Sequence, residues 1–189
     1  MSLEVGSGVP RTQFIETLER YERLLSAHMT DVSTGFRWFF ANLVEVKLSQ
    51  DTTGGHMSIV GFAGPPGDMP PLHLHRTDDE AWYVLEGEMS FFVGDQQPIR
   101  VKAGGLAFGP KGVPHTYRVE SGEQAGWLAI CTPGDFERFV VAASRPAERA
   151  ELPPVADQPS EVEIVAVTEL AAKHGVELLG PPGVLPGRA

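Results

Sequence analysis

His73 and His75 stand two apart in this chain, and Glu80 follows within five residues of the second. In extended backbone, period-two geometry puts both imidazoles on one face with Cα atoms about 6.5 Å apart, close enough to share an ion. Glu80 opens the run Glu80-Ala81-Trp82-Tyr83-Val84, whose alternation places Trp82 and Val84 on the carboxylate's side. Far downstream, His115 begins another β-rich run after the sharp turn Pro110-Lys111-Gly112-Val113-Pro114. Three imidazoles and one carboxylate suit a borderline divalent transition metal such as Fe, Mn, Ni, Cu or Zn. Four ligands on a metal that accepts six leave two positions for water, dioxygen or a chelating substrate. Of the six histidines, the other three (His28, His56 and His174) fall outside this pattern and read as ordinary surface or core residues.

The elements that must position these groups are mostly short strands. From Phe36 onward, β-rich runs at 36–40, 43–49, 56–63, 81–86, 88–94, 98–102, 105–109, 115–120 and 126–132 alternate with turn residues such as Thr53-Gly54-Gly55, Gly64-Pro65-Pro66-Gly67 and Gly94-Asp95. Many short strands with no helices between them predict an antiparallel sandwich or barrel. Phe62, Trp82, Phe108 and Tyr117 lie in runs flanking the ligands and are the candidate walls of an apolar substrate pocket. Ahead of the strands, Phe14, Leu18, Tyr21 and Leu25 recur at helical spacing and predict a helix over 12–28 that covers a barrel opening or a partner subunit. Behind them, a short helix is expected at 135–144 and a proline-rich linker at 145–159. A second helix at 160–174 has capping-box spacing at Ser160 and Glu163 and a terminal glycine at Gly175.

Composition narrows the partners. The formal net charge is −10 with only 15 Lys and Arg, which disfavours nucleic acid and anionic membranes. No apolar run reaches the 18 or so residues of a membrane span. Met1 to Pro10 has neither a basic nor an apolar leader region, so the expected compartment is the cytoplasm. Cys131 is the one cysteine; it sits in the apolar run Trp127 to Cys131 and reads as an inert core thiol.

The spacing carries a resemblance. Gly67, five residues, His73-x-His75, four residues, Glu80, six residues and Gly87 resembles the first motif of the cupin superfamily. Gly104, five residues, Pro110-x-Gly112, two residues and His115 resembles the second. Where the second motif often ends in Asn, this chain has Val119. Pro133-Gly134-Asp135-Phe136-Glu137-Arg138-Phe139 and the segment His174 to Pro182 are similar to the tail of bacterial single-domain cupins akin to quercetin 2,3-dioxygenase. The resemblance covers about 40 to 182. It implies an all-β cupin fold, a double-stranded β-helix or jelly-roll barrel over 36–132, with helices and linker packed on the barrel at 133–189; the helical periodicity adds an N-terminal helical extension at 1–35. It also implies a metal-dependent dioxygenase acting on a flavonol or similar aromatic hydroxy-ketone, with Glu80 as the base, and a homodimer to which the N-terminal segment contributes. The alternatives within that fold are a non-catalytic small-molecule-binding cupin and a redox-neutral metal-dependent isomerase or cyclase.

Overall fold

Strict alternation of buried and half-buried side chains runs through Ser58–Gly64 and Ala125–Thr132, the pattern of strands with one face on a core. A computed structural model describes residues 35–156 and 158–187 of the chain, and the helix expected at 12–28 lies outside them. Twelve strands form within the described residues: β1 (Arg37–Phe39), β2 (Asn42–Leu48), β3 (Ser58–Gly64), β4 (Leu72–His75), β5 (Asp79–Glu86), β6 (Glu88–Val93), β7 (Ile99–Lys102), β8 (Leu106–Gly109), β9 (His115–Val119), β10 (Ala125–Thr132), β11 (Arg145–Pro146) and β12 (Val176–Gly180). Two helices, α1 (Phe136–Ala142) and α2 (Glu161–Lys173), follow β10.

The strands make two antiparallel sheets, one ordered β11-β1-β2-β3-β10-β5-β8 and the other β12-β4-β9-β6-β7. Consecutive strands repeatedly cross from one sheet to the other, so the ligand-bearing β4, β5 and β9 belong to different sheets yet face one interior. This is the two-sheet antiparallel β-sandwich that the strand pattern implies. Gly87 makes the tight passage from β5 to β6 possible. Its φ is +81°, and a Cβ there would lie 2.4 Å from Ser121 Oγ, so both the backbone conformation and the space require glycine.

Three strands exceed what the sequence pattern predicts. β4 is four residues long and directly follows Pro70-Pro71, too short for an alternation to declare itself. β11 lies inside the expected linker and pairs Arg37 with Pro146 at an edge, where a missing amide hydrogen is tolerated. β12 pairs with β4, so the C-terminal segment supplies a strand to each sheet as well as the two expected helices. The capping box of α2 is complete: Glu163 N donates to Ser160 Oγ at 3.3 Å, and Ser160 N donates to Glu163 Oε2 at 2.8 Å.

The core between the sheets is aromatic. Trp127, 1% exposed, stacks on Phe62 at 5.3 Å with an interplanar angle of 10°, and Tyr117 meets its edge at 5.1 Å. Phe39, Phe136, Phe139 and Val140 extend this cluster under α1. Replacing Trp127 with Ala is expected to lower unfolding free energy by about 3–5 kcal/mol through lost burial and a residual cavity, measured as a shift in the urea midpoint. A loss under about 1 kcal/mol would mean that the two sheets pack without it.

Candidate metal centre

Three strands aim the four candidate ligands at one point. His73 and His75 come from β4, Glu80 from the start of β5, and His115 opens β9, where it is the register partner of His73. One ligand atom from each of the four lies within 4.8 Å of all the others. His75 Nε2 stands 3.2 Å from Glu80 Oε2, and His115 Nε2 stands 3.5 Å from the same oxygen. His75, Glu80 and His115 are buried, and His73 is partly exposed.

Hydrogen bonding assigns the tautomers. His73 Nδ1 lies 2.8 Å from the Pro71 carbonyl oxygen, and His115 Nδ1 lies 2.9 Å from that of Val113. A carbonyl oxygen only accepts, so each Nδ1 carries the proton and donates it, leaving the Nε2 lone pair free. The Nε2 atoms of His75 and His115 and the Oε2 of Glu80 have no hydrogen-bond partner although all three are buried. Burial, followed by the neighbouring His115 and His75 imidazoles, pushes His73 down to about 3; burial and then His115 do the same to His75. The close approach of His75 to Glu80 is therefore not an ion pair at neutral pH. It brings together three buried polar atoms that have no hydrogen-bond partner, an arrangement that a divalent cation relieves.

The surroundings hold these rings in place. Gly112, at φ +74°, donates its N–H to the His75 carbonyl at 2.7 Å, so the turn that delivers His115 also ties down the end of β4. Gly109 leaves room for Trp82: a Cβ there would lie 2.6 Å from the Trp82 ring and 3.3 Å from His115 Nδ1. Trp82 in turn packs edge-on against His115 at 5.2 Å.

Of the candidate pocket residues, Phe62, Trp82 and Tyr117 point inward and are buried. Phe108 does not. It is 50% exposed and pairs with Ala81, on the opposite face of the sheet from Glu80 and Trp82. The β8 residues that face inward are Ala107 and Gly109, so the ring at 108 belongs to the outer surface. His56 is exposed and His174 caps the C-terminal end of α2, both apart from the cluster; His28 lies outside the described residues.

Two neighbours escaped the pattern reading. Phe136 packs edge-on over His75 at 4.8 Å, held by its N–H donating to Asp78 Oδ2 at 2.8 Å. Burial raises Asp78 above its ordinary value, with the Phe136 and Thr77 hydrogen bonds opposing the rise. Neither residue carries a spacing signal toward the ligands, because Asp78 sits in the connection between β4 and β5 and Phe136 lies in α1, far along the chain. Cys131 lies beside Glu80 in the sheet, and burial, with Glu80 and Asp78, pushes its thiol well up, away from thiolate reactivity.

Residues 62–131 match the family model of the cupin domain. The chain is 29% identical over 146 residues to the quercetin 2,3-dioxygenase of Bacillus subtilis (strain 168), a match that covers 77% of this chain and 42% of that relative. The match thus spans well under half the relative's length. Solved structures of similar shape include TT1209 from Thermus thermophilus, at 25% identity and a TM-score of 0.43 over 58% of this chain and 94% of that one. The polyketide cyclase RemF from Streptomyces resistomycificus aligns at 22% identity and a TM-score of 0.45, over 71% of this chain and 85% of that one.

The lowered imidazoles make stability depend on pH. In the unfolded chain His73 and His75 take up protons near 6.5, whereas in the metal-free fold they do so only near 3. The unfolded state therefore binds more protons across that window, and the metal-free protein loses stability as pH falls from about 6.5 toward 3. The slope reaches about 1.4 kcal/mol per pH unit for each fully displaced proton. Asp68 and Asp78, raised by burial, act in the opposite sense over the carboxylate range. The informative comparison is thus between wild type and His75→Gln. Urea midpoints of the metal-free proteins are expected to fall more steeply on acidification in wild type, and parallel curves would show that His75 is not held neutral.

Proposed function

We propose that this chain, which carries a cupin domain similar to that of quercetin 2,3-dioxygenase, holds one divalent transition metal on His73, His75, Glu80 and His115 and acts as a dioxygenase on a flavonol-like aromatic hydroxy-ketone. The observation that carries this reading is the convergence of buried, unpartnered acceptors in a cupin interior. When bound, the metal would supply positive charge for the substrate's adjacent oxygens and redox access to dioxygen. Glu80, almost wholly buried, is the group to take the substrate's hydroxyl proton, since its Oε2 is unpaired and faces the same point as the imidazoles. Trp82, Tyr117 and Phe62 offer apolar faces that suit a planar aromatic and keep water from the reacting oxygens.

The test is oxygen uptake by metal-reconstituted protein given quercetin and a panel of catechol-like compounds. Uptake with the flavonol is expected, and Glu80→Gln should lower turnover by about 100-fold or more at equal metal content. A filled site that consumes no oxygen with any compound overturns the dioxygenase reading.

The same reading includes a homodimer. Tyr83, Leu85, Leu106 and Phe108 are exposed together on the outer face of β5 and β8, and β8 is a sheet edge. An apolar strip along an unpaired edge favours burial against a second copy. Phe108→Lys is expected to convert a dimer to a monomer in light scattering without altering metal content. A wild-type monomer would overturn this part of the proposal.

A further inference from the structure

We infer that Asp68 is a positioning residue for the metal centre, acting through a hydrogen-bonded clamp with Tyr117 and Asn42. The inference rests on the four-ligand reading above and concerns how the ligands are held. β4 and β9 together carry all three imidazoles, yet among the described residues their register contains the single pair His73 with His115. So short a ladder does not by itself fix the spacing of two strands. The remaining ties lie just upstream, around Asp68. Gly67 N donates to the Val119 carbonyl at 3.1 Å, and Val119 N donates to the Asp68 carbonyl at 3.0 Å. Thr116 Oγ1 donates to the Pro70 carbonyl at 2.9 Å.

The Asp68 side chain closes this arrangement. Its Oδ2 accepts from Tyr117 Oη at 3.3 Å and from Asn42 Nδ2 at 3.2 Å. Tyr117 lies two residues beyond His115 on the same inner face of β9, Asp68 lies five residues before His73, and Asn42 opens β2 in the other sheet. One carboxylate thus joins the segment entering β4, the strand bearing His115 and the opposite sheet.

Both donors are themselves immobilised. Asn42 is 5% exposed, and its Oδ1 sits where a Cβ on Gly64 would approach to 2.6 Å, leaving the amide no lateral room. The Tyr117 ring is wedged edge-on against Trp127. The carboxylate therefore meets two fixed donors, and its position dictates that of the backbone leading to His73. β12 pairs with both His73 and His75, and the Gly112 N–H adds a tie at His75 alone, so loss of the clamp acts first on His73.

The experiment measures Co²⁺ affinity and the visible ligand-field spectrum of the full-length chain, with thermal melts to establish that each variant is folded. Asp68→Ala is expected to weaken Co²⁺ binding by about tenfold or more and to alter the spectrum, the scale seen when outer partners of metal ligands are removed. Asp68→Asn keeps an acceptor oxygen and is expected to restore most of the affinity. Tyr117→Phe removes one donor without disturbing the ring and is expected to weaken binding by a few-fold. A merely structural role would lower the melting temperature and leave affinity and spectrum unchanged; that result in Asp68→Ala or Tyr117→Phe overturns the inference. Equal losses in Asp68→Asn and Asp68→Ala overturn the hydrogen-bond basis for it. A wild type that binds no Co²⁺ overturns the four-ligand reading, and the inference falls with it.

Discussion

Three buried polar atoms that converge without a hydrogen-bond partner are the constraint around which this molecule is arranged. His75 Nε2 and His115 Nε2 both approach Glu80 Oε2 within 3.5 Å, and burial keeps the imidazoles His73 and His75 neutral. Removing such atoms from water without a partner costs free energy for each of them. A fold tolerates such a knot where surrounding packing forbids retreat. Trp82 behind His115, Phe136 over His75 and the carbonyls of Pro71 and Val113 on the far nitrogens of His73 and His115 leave each imidazole a narrow range of orientations. The strain and the preorganisation are the same feature, since a site that could relax without a cation would also have to reorganise to receive one.

The two sheets contribute unequally to that rigidity. Glu80 stands on β5, which pairs with β10 along nearly its whole length and with β8 on its other side. Its position is set by central-sheet hydrogen bonding. The imidazoles stand on β4 and β9, short strands that share one register pair. β4 draws most of its pairing from β12, a strand contributed by the far C-terminal part of the chain. The carboxylate is therefore a fixed post, and the imidazoles depend on ties of long sequence separation, where local opening is least costly.

Most of this was legible before any coordinates, for physical reasons specific to the motif. The ligand spacing follows from strand period and from turns that need glycine, as at Gly87 and Gly112, so the residues that aim the ligands are themselves visible in sequence. The long strands β3, β5 and β10 announce themselves because each buries one face, and alternation over seven or eight residues is hard to mistake. β4 and β12 were not legible, being short and defined by each other across about a hundred residues. Phe108 misled because a large apolar residue in a run flanking the ligands was expected to face the pocket. In β8 the inner positions are Ala107 and Gly109, small because Trp82 occupies the space, so the large residue is the one facing out. A bulky residue marks the core only when its neighbour across the sheet leaves it room.

The same reasoning explains why the polar groups around Asp68 carry no sequence signal although they sit near the ligands. Asn42, Asp68 and Tyr117 come from a strand start, a loop and a strand middle, with no shared spacing. What unites them is the gap that a one-rung ladder leaves between β4 and β9. Sheet hydrogen bonds come with the backbone, and any sequence that forms the strands obtains them. Where the ladder is too short, side chains must supply the missing constraint, and only tertiary packing decides which ones are within reach. A candidate metal centre of this kind thus divides its information between candidate ligands, which are periodic and readable, and supports, which are neither.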